Sequence, residues 1–304
     1  MQLGKVALLG VGLLGGSLGR ALRQRGHARE VVGFARRAET IKECDLAGAT
    51  DRTTLDLADA VQGADLVVLG TPLGEMAAMA RRILPSVPPN AIVTDVGSVK
   101  ASVVSELEPL LAARGVAFVG SHPMAGGEKS GVLASRSDLF EGATCVITPT
   151  AHTVPEALAR VRSLWEGVGA RVLLLTPEAH DTLVSRSSHL PHIVAAELAR
   201  FVLDPRQPAE QRDLCATGFR STTRIASGSP EMWRDICLAN RDAVRRALSD
   251  HRDGLLTFEN LLAAGDGPGL LEYFSQAKER RDAWCPPKQA LAHLEPRTAR
   301  TACP

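Results

Sequence analysis

The sequence has no excess charge of one sign, no paired cysteines and no long apolar run. Over 304 residues, 35 Lys and Arg nearly cancel 34 Asp and Glu. The broad one-signed surface that nucleic acid or an anionic membrane requires is therefore missing, and neither is expected as a partner. Any anion must be met by local cations. The cysteines Cys44, Cys145, Cys215, Cys237, Cys285 and Cys303 are scattered without a Cys-x-x-Cys pair. This argues against zinc or a disulfide framework and for a reducing, cytoplasmic setting. The first apolar run, Lys5 to Leu9, is too short and too soon broken by Gly10 for a signal peptide or membrane span. No internal repeat is visible. What is present is an apolar fraction of 45% in a chain long enough for two domains or one large α/β unit.

That first run leads into Gly10-Val11-Gly12-Leu13-Leu14-Gly15-Gly16-Ser17, after which Leu18, Ala21 and Leu22 fall at helical spacing. A second strand is predicted over Glu30 to Phe34. Gly-x-Gly-x-x-Gly is a weak signal alone and a stronger one between a strand and a helix. Gly10 permits the tight turn, Gly12 lets a pyrophosphate approach the backbone, and Gly15 allows close helix-strand contact, with the phosphates at the helix N-terminus beside Leu13 and Leu14. A dinucleotide site is thus expected on Gly10, Gly12, Leu13, Leu14 and Gly15. The second strand ends in Ala35-Arg36-Arg37, where an NAD site usually carries an acid for the ribose hydroxyl. Ala35, Arg36 and Arg37 suit a 2′-phosphate better, so NADP is favoured over NAD.

The alternation continues with a helix near Leu55 to Val61, a strand at Asp65 to Leu69, a helix at Met76 to Leu84 and a strand at Ala91 to Thr94. Such βα units predict a parallel, doubly wound Rossmann-type sheet, with ligands beyond the carboxyl ends of its strands. Thr71 and Pro72 form a stiff turn at one such end. Ser98, in Asp95-Val96-Gly97-Ser98-Val99-Lys100, stands where a helix would begin and is a helix N-cap candidate. Ser121 and His122 open a stretch of small residues, reaching to Gly131, that is expected to follow a strand at Val116 to Val119. A strand at Ala143 to Thr148, a helix at Pro155 to Val168 and a strand at Arg171 to Leu175 complete this part. From Pro177 to about Trp284 only helical patterns remain, interrupted at Asp204-Pro205, Gly218 and Gly265 to Gly269. The expected organisation is a dinucleotide-binding domain over 1–176, an all-α domain over 177–284 and a loose tail over 285–304.

Two helical stretches are unusually polar. In Ser185-Arg186-Ser187-Ser188-His189-Leu190-Pro191-His192, Pro191 should kink a helix. The paired histidines lack a carboxylate or cysteine at metal-binding spacing, so hydrogen-bonding roles are expected and no metal. In Gly218-Phe219-Arg220-Ser221-Thr222-Thr223-Arg224-Ile225-Ala226, an arginine could grip a carboxylate with two hydrogen bonds or merely pair at the surface.

Together these motifs resemble the prephenate dehydrogenase family, which includes arogenate and dual-specificity cyclohexadienyl dehydrogenases. The similarity runs from the glycine fingerprint through Asp95 to Lys100, Ser121 to Gly131, Ser188 to His192 and Thr223 to Ile236. The resemblance implies a Rossmann domain followed by a helical dimerisation domain, hence a homodimer. It implies that His122 accepts the proton of the substrate ring hydroxyl with Ser98 beside it. It further implies that Ser121, Ser188 and His192 line the substrate pocket, that Arg224 binds a substrate carboxylate, and that Glu128 is an acidic group near the entrance. Family members commonly carry Asp at the position of Ser221, so an acidic gate there is in doubt.

The chemistry suits these residues independently. Hydride loss from a carbinol carbon needs its hydroxyl proton removed, and a neutral histidine is matched to that step near neutral pH. Prephenate is the expected substrate. Arogenate is the nearest alternative: in arogenate-specific relatives an acid before the Gly-Phe pair tends to receive the amine, and Cys215 as the closest match in register leans towards prephenate or dual use, although Asp213 leaves the question open. Amino-substituted prephenates, a β-hydroxyacid dehydrogenase and a dinucleotide-sensing protein without turnover are the further readings. The catalytic lysine of the β-hydroxyacid enzymes has no counterpart at Lys278 or Lys288.

Overall fold

The computed structural model of the chain describes residues 2–127 and 129–285. Its first part alternates β1 (Leu3–Leu9), α1 (Leu13–Gln24), β2 (Ala28–Phe34), α2 (Ala38–Ala47), β3 (Arg52–Thr54), α3 (Leu57–Val61), β4 (Leu66–Leu69), α4 (Met76–Ile83), β5 (Ile92–Asp95), α5 (Ala101–Ala112), β6 (Ala117–Pro123), β7 (Thr144–Thr148), α6 (Pro155–Gly167) and β8 (Arg171–Leu174). Among the described residues these strands form one eight-stranded sheet in the order β3-β2-β1-β4-β5-β6-β7-β8. The chain leaves β1 first towards β2 and later returns on its other side as β4. That reversal opens a crevice beyond the carboxyl end of β1.

Alternation along each strand builds a core on both faces of the sheet. Val6, Leu8, Leu66, Val68 and Val119 meet Leu18 and Leu22 of α1 and Leu164 and Trp165 of α6. On the other face Ala7, Leu9, Val67, Val93 and Phe118 meet Val61 of α3, Met79 and Ile83 of α4, and Leu107 and Leu111 of α5.

Three features depart from the sequence reading. Neither α2 nor β3 was anticipated, because α2 buries only Cys44 along its length and β3 is a three-residue edge strand. The sheet is not parallel throughout: β7 runs antiparallel to β6. The link between them holds a short 3-10 turn, Val132–Ala134, in place of a crossover helix, and a parallel return needs such a crossover. α6 supplies one for the next step, and β8 is parallel to β7. Finally, β6 does not stop at Val119. Its first half pairs with β5, and Gly120 to Pro123 then pair with β7, so His122 lies on a strand instead of in a glycine-rich loop.

Beyond β8 the described chain is helical: α7 (Pro177–Val184), a π turn (Ser185–His189), α8 (Leu190–Val202), α9 (Glu210–Asp213), α10 (Thr217–Thr223), a 3-10 turn (Arg224–Ser227), α11 (Pro230–Ala239), α12 (Arg241–Ala264) and α13 (Gly267–Trp284). Gly218 lies inside α10 and does not interrupt it. The expected kink at Pro191 takes the form of the π turn. Proline has no N–H to close the α-helical bond onto residue 187, and the ladder opens to wider spacing just before it.

By internal contacts the chain divides into residues up to Arg245 and residues from Arg246 onward. In the second unit Phe258 packs on Tyr273 and Phe274 with ring centroids 5.1 and 5.7 Å apart. The segment 286–304, most of the expected tail, lies outside the described residues. No helix among the described residues is long and apolar enough to cross a membrane.

Candidate active site

The glycine fingerprint forms the floor of a cleft. Gly10 has φ +110°, and a Cβ there would come within 2.5 Å of the Gly70 backbone. A Cβ on Gly15 would lie 2.2 Å from the Gly10 carbonyl, so the first turn of α1 can sit against β1 only without one. Gly12 faces open space, with nothing within 4 Å of its would-be Cβ. Above it is a cavity of about 580 Å³ that brings Gly10, Gly12, Ala35, Arg36, Arg37, Thr71 and Pro72 together. The buried Thr71 hydroxyl has no hydrogen-bond partner, which suits a wall built for a polar ligand. This shape and donor set fit a dinucleotide with its phosphates at the α1 N-terminus.

Of the other expected cofactor residues, Leu13 and Leu14 pack against the core and Gly15 is buried beneath the turn. The cavity also takes in Thr40, Arg82, Gly131 and Val132. None of these was expected: Thr40 lies on α2 and Gly131 and Val132 at the 3-10 turn, neither of which left a pattern in the sequence, and Arg82 lies on the anticipated helix α4 without a motif to single it out. Arg36, Arg37 and Arg82 face Glu43 and Glu75 around the same rim.

At the end of β5 a buried polar knot ties neighbouring strands together. The Asp95 carboxylate accepts from the Gly97 N–H (2.8 Å), the Ser121 N–H (3.0 Å) and the Lys100 ammonium. Lys100 Nζ also donates to the Ser121 carbonyl at 2.9 Å. Burial pulls the Lys100 ammonium below its ordinary range, while the Asp95 charge opposes that pull. The Ser121 hydroxyl donates to the Asp95 carbonyl at 2.5 Å and meets the Thr94 hydroxyl at 2.9 Å. It also accepts from Trp165 Nε1 at 3.0 Å. Ser121 was expected to line the substrate pocket. Its side chain is fully buried and engaged with these three partners.

Ser98 sits half-buried in the loop that this knot holds, but it does not cap a helix. α5 begins at Ala101, and its first N–H groups are capped from outside: Lys100 N and Ala101 N donate to Asp181 Oδ1 and Oδ2 at 2.7 and 2.9 Å.

His122, the next residue along β6, points to the opposite face and is 7% exposed. Its Nδ1 is 2.8 Å from Nε2 of His180 on α7, the role foreseen for Ser98. His180 Nδ1 in turn lies 2.7 Å from Asp181 Oδ1. Burial pushes the His122 imidazole well below its ordinary pKa, and His180, Lys100 and His189 push the same way. The ring is therefore neutral at neutral pH, with Nε2 left for a ligand.

The same α7 end carries the chain towards the helical residues. Asn240 Nδ2 donates to the Asp181 carbonyl at 2.8 Å and lies 3.2 Å from His189 Nδ1. Burial lowers His189 to a pKa of about 4, against the upward pull of Asp181 and the Ser98 backbone. The His189 and Trp233 ring centroids are 6.1 Å apart, and His192 stacks on Trp233 at 3.8 Å. His192 Nδ1 donates to the Ser188 carbonyl at 3.0 Å. Its imidazole is lowered chiefly by burial, and the nearby Arg224 guanidinium adds to the effect. The structure places Ser188, His192 and Arg224 near one another. It adds His180, Asp181, His189, Trp233 and Asn240. Glu128 lies outside the described residues.

Comparison with known proteins matches two parts of the chain. The family profile described as the nucleotide-binding domain of prephenate dehydrogenase matches residues 18–174, and that of its dimerization domain matches 176–276. The chain is 34% identical over 280 residues to a cyclohexadienyl dehydrogenase of Zymomonas mobilis, covering 91% of this chain and 94% of that one. It is also 34% identical to a prephenate dehydrogenase of Bacillus subtilis, covering 91% and 75%. Among solved structures it is similar to the prephenate dehydrogenase of A. aeolicus in complex with hydroxyphenyl propionate and NAD+, with TM-score 0.85 and 35% identity over 92% of this chain and 97% of that one. On its fold, its two matched halves and these relatives, the chain belongs to the prephenate dehydrogenase family.

Proposed function

We propose that this protein catalyses the NAD(P)-dependent oxidative decarboxylation of prephenate to 4-hydroxyphenylpyruvate. The observation that carries this reading is His122, buried and neutral, with Nδ1 engaged by His180 and Nε2 available. Such a nitrogen accepts the ring hydroxyl proton as the carbonyl forms. The developing ketone is conjugated to the carbon that bears the ring carboxylate, and loss of CO2 makes the ring aromatic. The bound nicotinamide supplies the hydride acceptor. Arg224, beside His192, binds a substrate carboxylate, and Ser98 and Ser188 line the approach. We assign the dinucleotide to residues 1–176 and the substrate anchors to 177–284.

Arg36 and Arg37 in the cavity, with Ala35 in place of an acid, favour NADP; Arg82 on the same rim adds a further cation. Assembly as a homodimer through the helical part is supported by the exposed Leu255, Leu256, Leu262, Leu271 and Phe274 of α12 and α13, and the scattered cysteines favour a cytoplasmic setting. The similarity to a cyclohexadienyl dehydrogenase keeps arogenate as a second substrate. One assay tests both readings: absorbance at 340 nm with prephenate or arogenate, each with NAD and NADP. Turnover is expected with prephenate, faster with NADP at low cofactor. Absence of turnover with either substrate rejects the reading.

A further inference from the structure

We propose that His180 and Asp181 are positioning residues that fix the tautomer of His122 and supply the counter-charge for its protonated form. The base would then be set from α7, not from its own strand. This deepens the functional reading above and rests on His122 as the base.

The argument is one of donors and acceptors. The Asp181 carboxylate receives the N–H groups of Lys100 and Ala101 at the start of the twelve-residue helix α5. Both oxygens are thus acceptors at the helix N-terminus. Asp181 Oδ1, already an acceptor for Lys100 N, lies 2.7 Å from His180 Nδ1 and calls for the proton on that nitrogen. A His180 that donates through Nδ1 offers the lone pair on Nε2 to His122 Nδ1, 2.8 Å away. Two lone pairs cannot face each other at that distance, so His122 carries its proton on Nδ1. Nε2 is left bare, as a base requires.

When the substrate hydroxyl gives its proton to Nε2, the O–H bond breaks, the N–H bond forms and the electron pair remains on oxygen. The imidazolium so formed is two hydrogen bonds from the Asp181 charge, and the proton stays on His122. The other groups facing it are poor substitutes. Lys100 is a cation already paired with Asp95, and His189 is neutral and held by Asn240. The Asp181 carbonyl is also an acceptor for Asn240, so one residue joins the α5 cap, the base and the helical residues.

The primary test needs neither cofactor nor substrate. Long-range 1H–15N correlation spectra of the labelled full chain should show His122 as the Nδ1–H tautomer, the signal being assigned by its loss in His122→Asn. An Nε2–H tautomer or an averaged mixture in the wild type would overturn the proposal. In His180→Phe, which keeps the Asp181 cap, the tautomer should become mixed. kcat with prephenate should fall about 100-fold or more, with cofactor Kd within about twofold. An unchanged kcat, or a loss matched by lost cofactor binding, would also overturn it. Wild-type inactivity on prephenate and arogenate would reject the functional reading alone, since the tautomer measurement stands apart from turnover.

Discussion

Ser121 and His122 are consecutive residues of one strand and have opposite fates. Ser121 turns towards α6 and disappears into a network with Asp95, Thr94 and Trp165. His122 turns towards α7 and keeps one ring nitrogen free of it. Strand alternation alone separates them. Two polar residues side by side in a motif therefore need not share a role: the inward one holds the strand end still, and that rigidity lets the other serve as a base.

The largest effect should come from breaking the outward half. His122→Asn removes the proton acceptor, and kcat should fall by about 10² to 10⁴, with cofactor affinity and folding stability little changed. Steady-state kinetics with a cofactor titration check this. A fully active variant would remove His122 from the chemistry. The inward half should fail in the opposite sense. Asp95→Ala strands the buried Lys100 ammonium and two further donors, the N–H groups of Gly97 and Ser121, and it should cost about 3 to 5 kcal/mol in a denaturant titration. If stability hardly changed, the knot would not be what holds the strand ends.

Most of the inward frame could be read from the chain. The fingerprint at Gly10 to Gly15 predicted strand, turn and helix because its steric demands are local, and Leu66 to Leu69 and Ile92 to Asp95 announced themselves by apolar runs. What could not be read was set by distant pairing. β6 reaches His122 only because β7 lies beside it, and nothing in Gly120 to Pro123 indicates a strand by itself. Ser98 looked like a cap because Ser is a good one, yet the α5 N-terminus is capped by Asp181 from 80 residues further on. His180 and Asp181 sit in an ordinary helix start, Pro177-Glu178-Ala179-His180-Asp181. Only the fold shows that they meet His122.

Acid should act on both halves of the helical contact. The folded pKa of His189 is about 4, whereas the unfolded chain binds that proton near pH 6.5. As pH falls below 6.5 the unfolded state gains protons first, so stability declines until about pH 4, by about 3 kcal/mol in all. The depressed His122 adds to the slope in the same direction. Denaturant titrations at pH 7, 5.5 and 4 measure this decline, and His189→Phe should flatten it. Equal slopes in the two proteins would show that His189 does not remain neutral on folding. Arg224→Ala should lose a charge-assisted contact of about 1.5 to 3 kcal/mol, read as a 10- to 100-fold rise in KM for prephenate and a smaller change in kcat. An unchanged KM would place the carboxylate anchor elsewhere.

The smallest effect is the most direct test of the adjacency. Ser121→Ala deletes one hydroxyl and leaves Trp165 Nε1, buried with its ring, without an acceptor, while the Asp95 carbonyl and the Thr94 hydroxyl each lose a partner. An unsatisfied buried donor costs about 1 to 3 kcal/mol. The backbone links of Ser121 to Asp95 and Lys100 survive the change, so β6 stays in place and the cost belongs at the lower end of that range. KM and kcat should each remain within about threefold, because the lost group faces away from the ligand side of the strand. If Ser121→Ala raised KM tenfold while stability held, the hydroxyl would be reaching the substrate after all, and the division of labour between neighbours would be wrong at its first member.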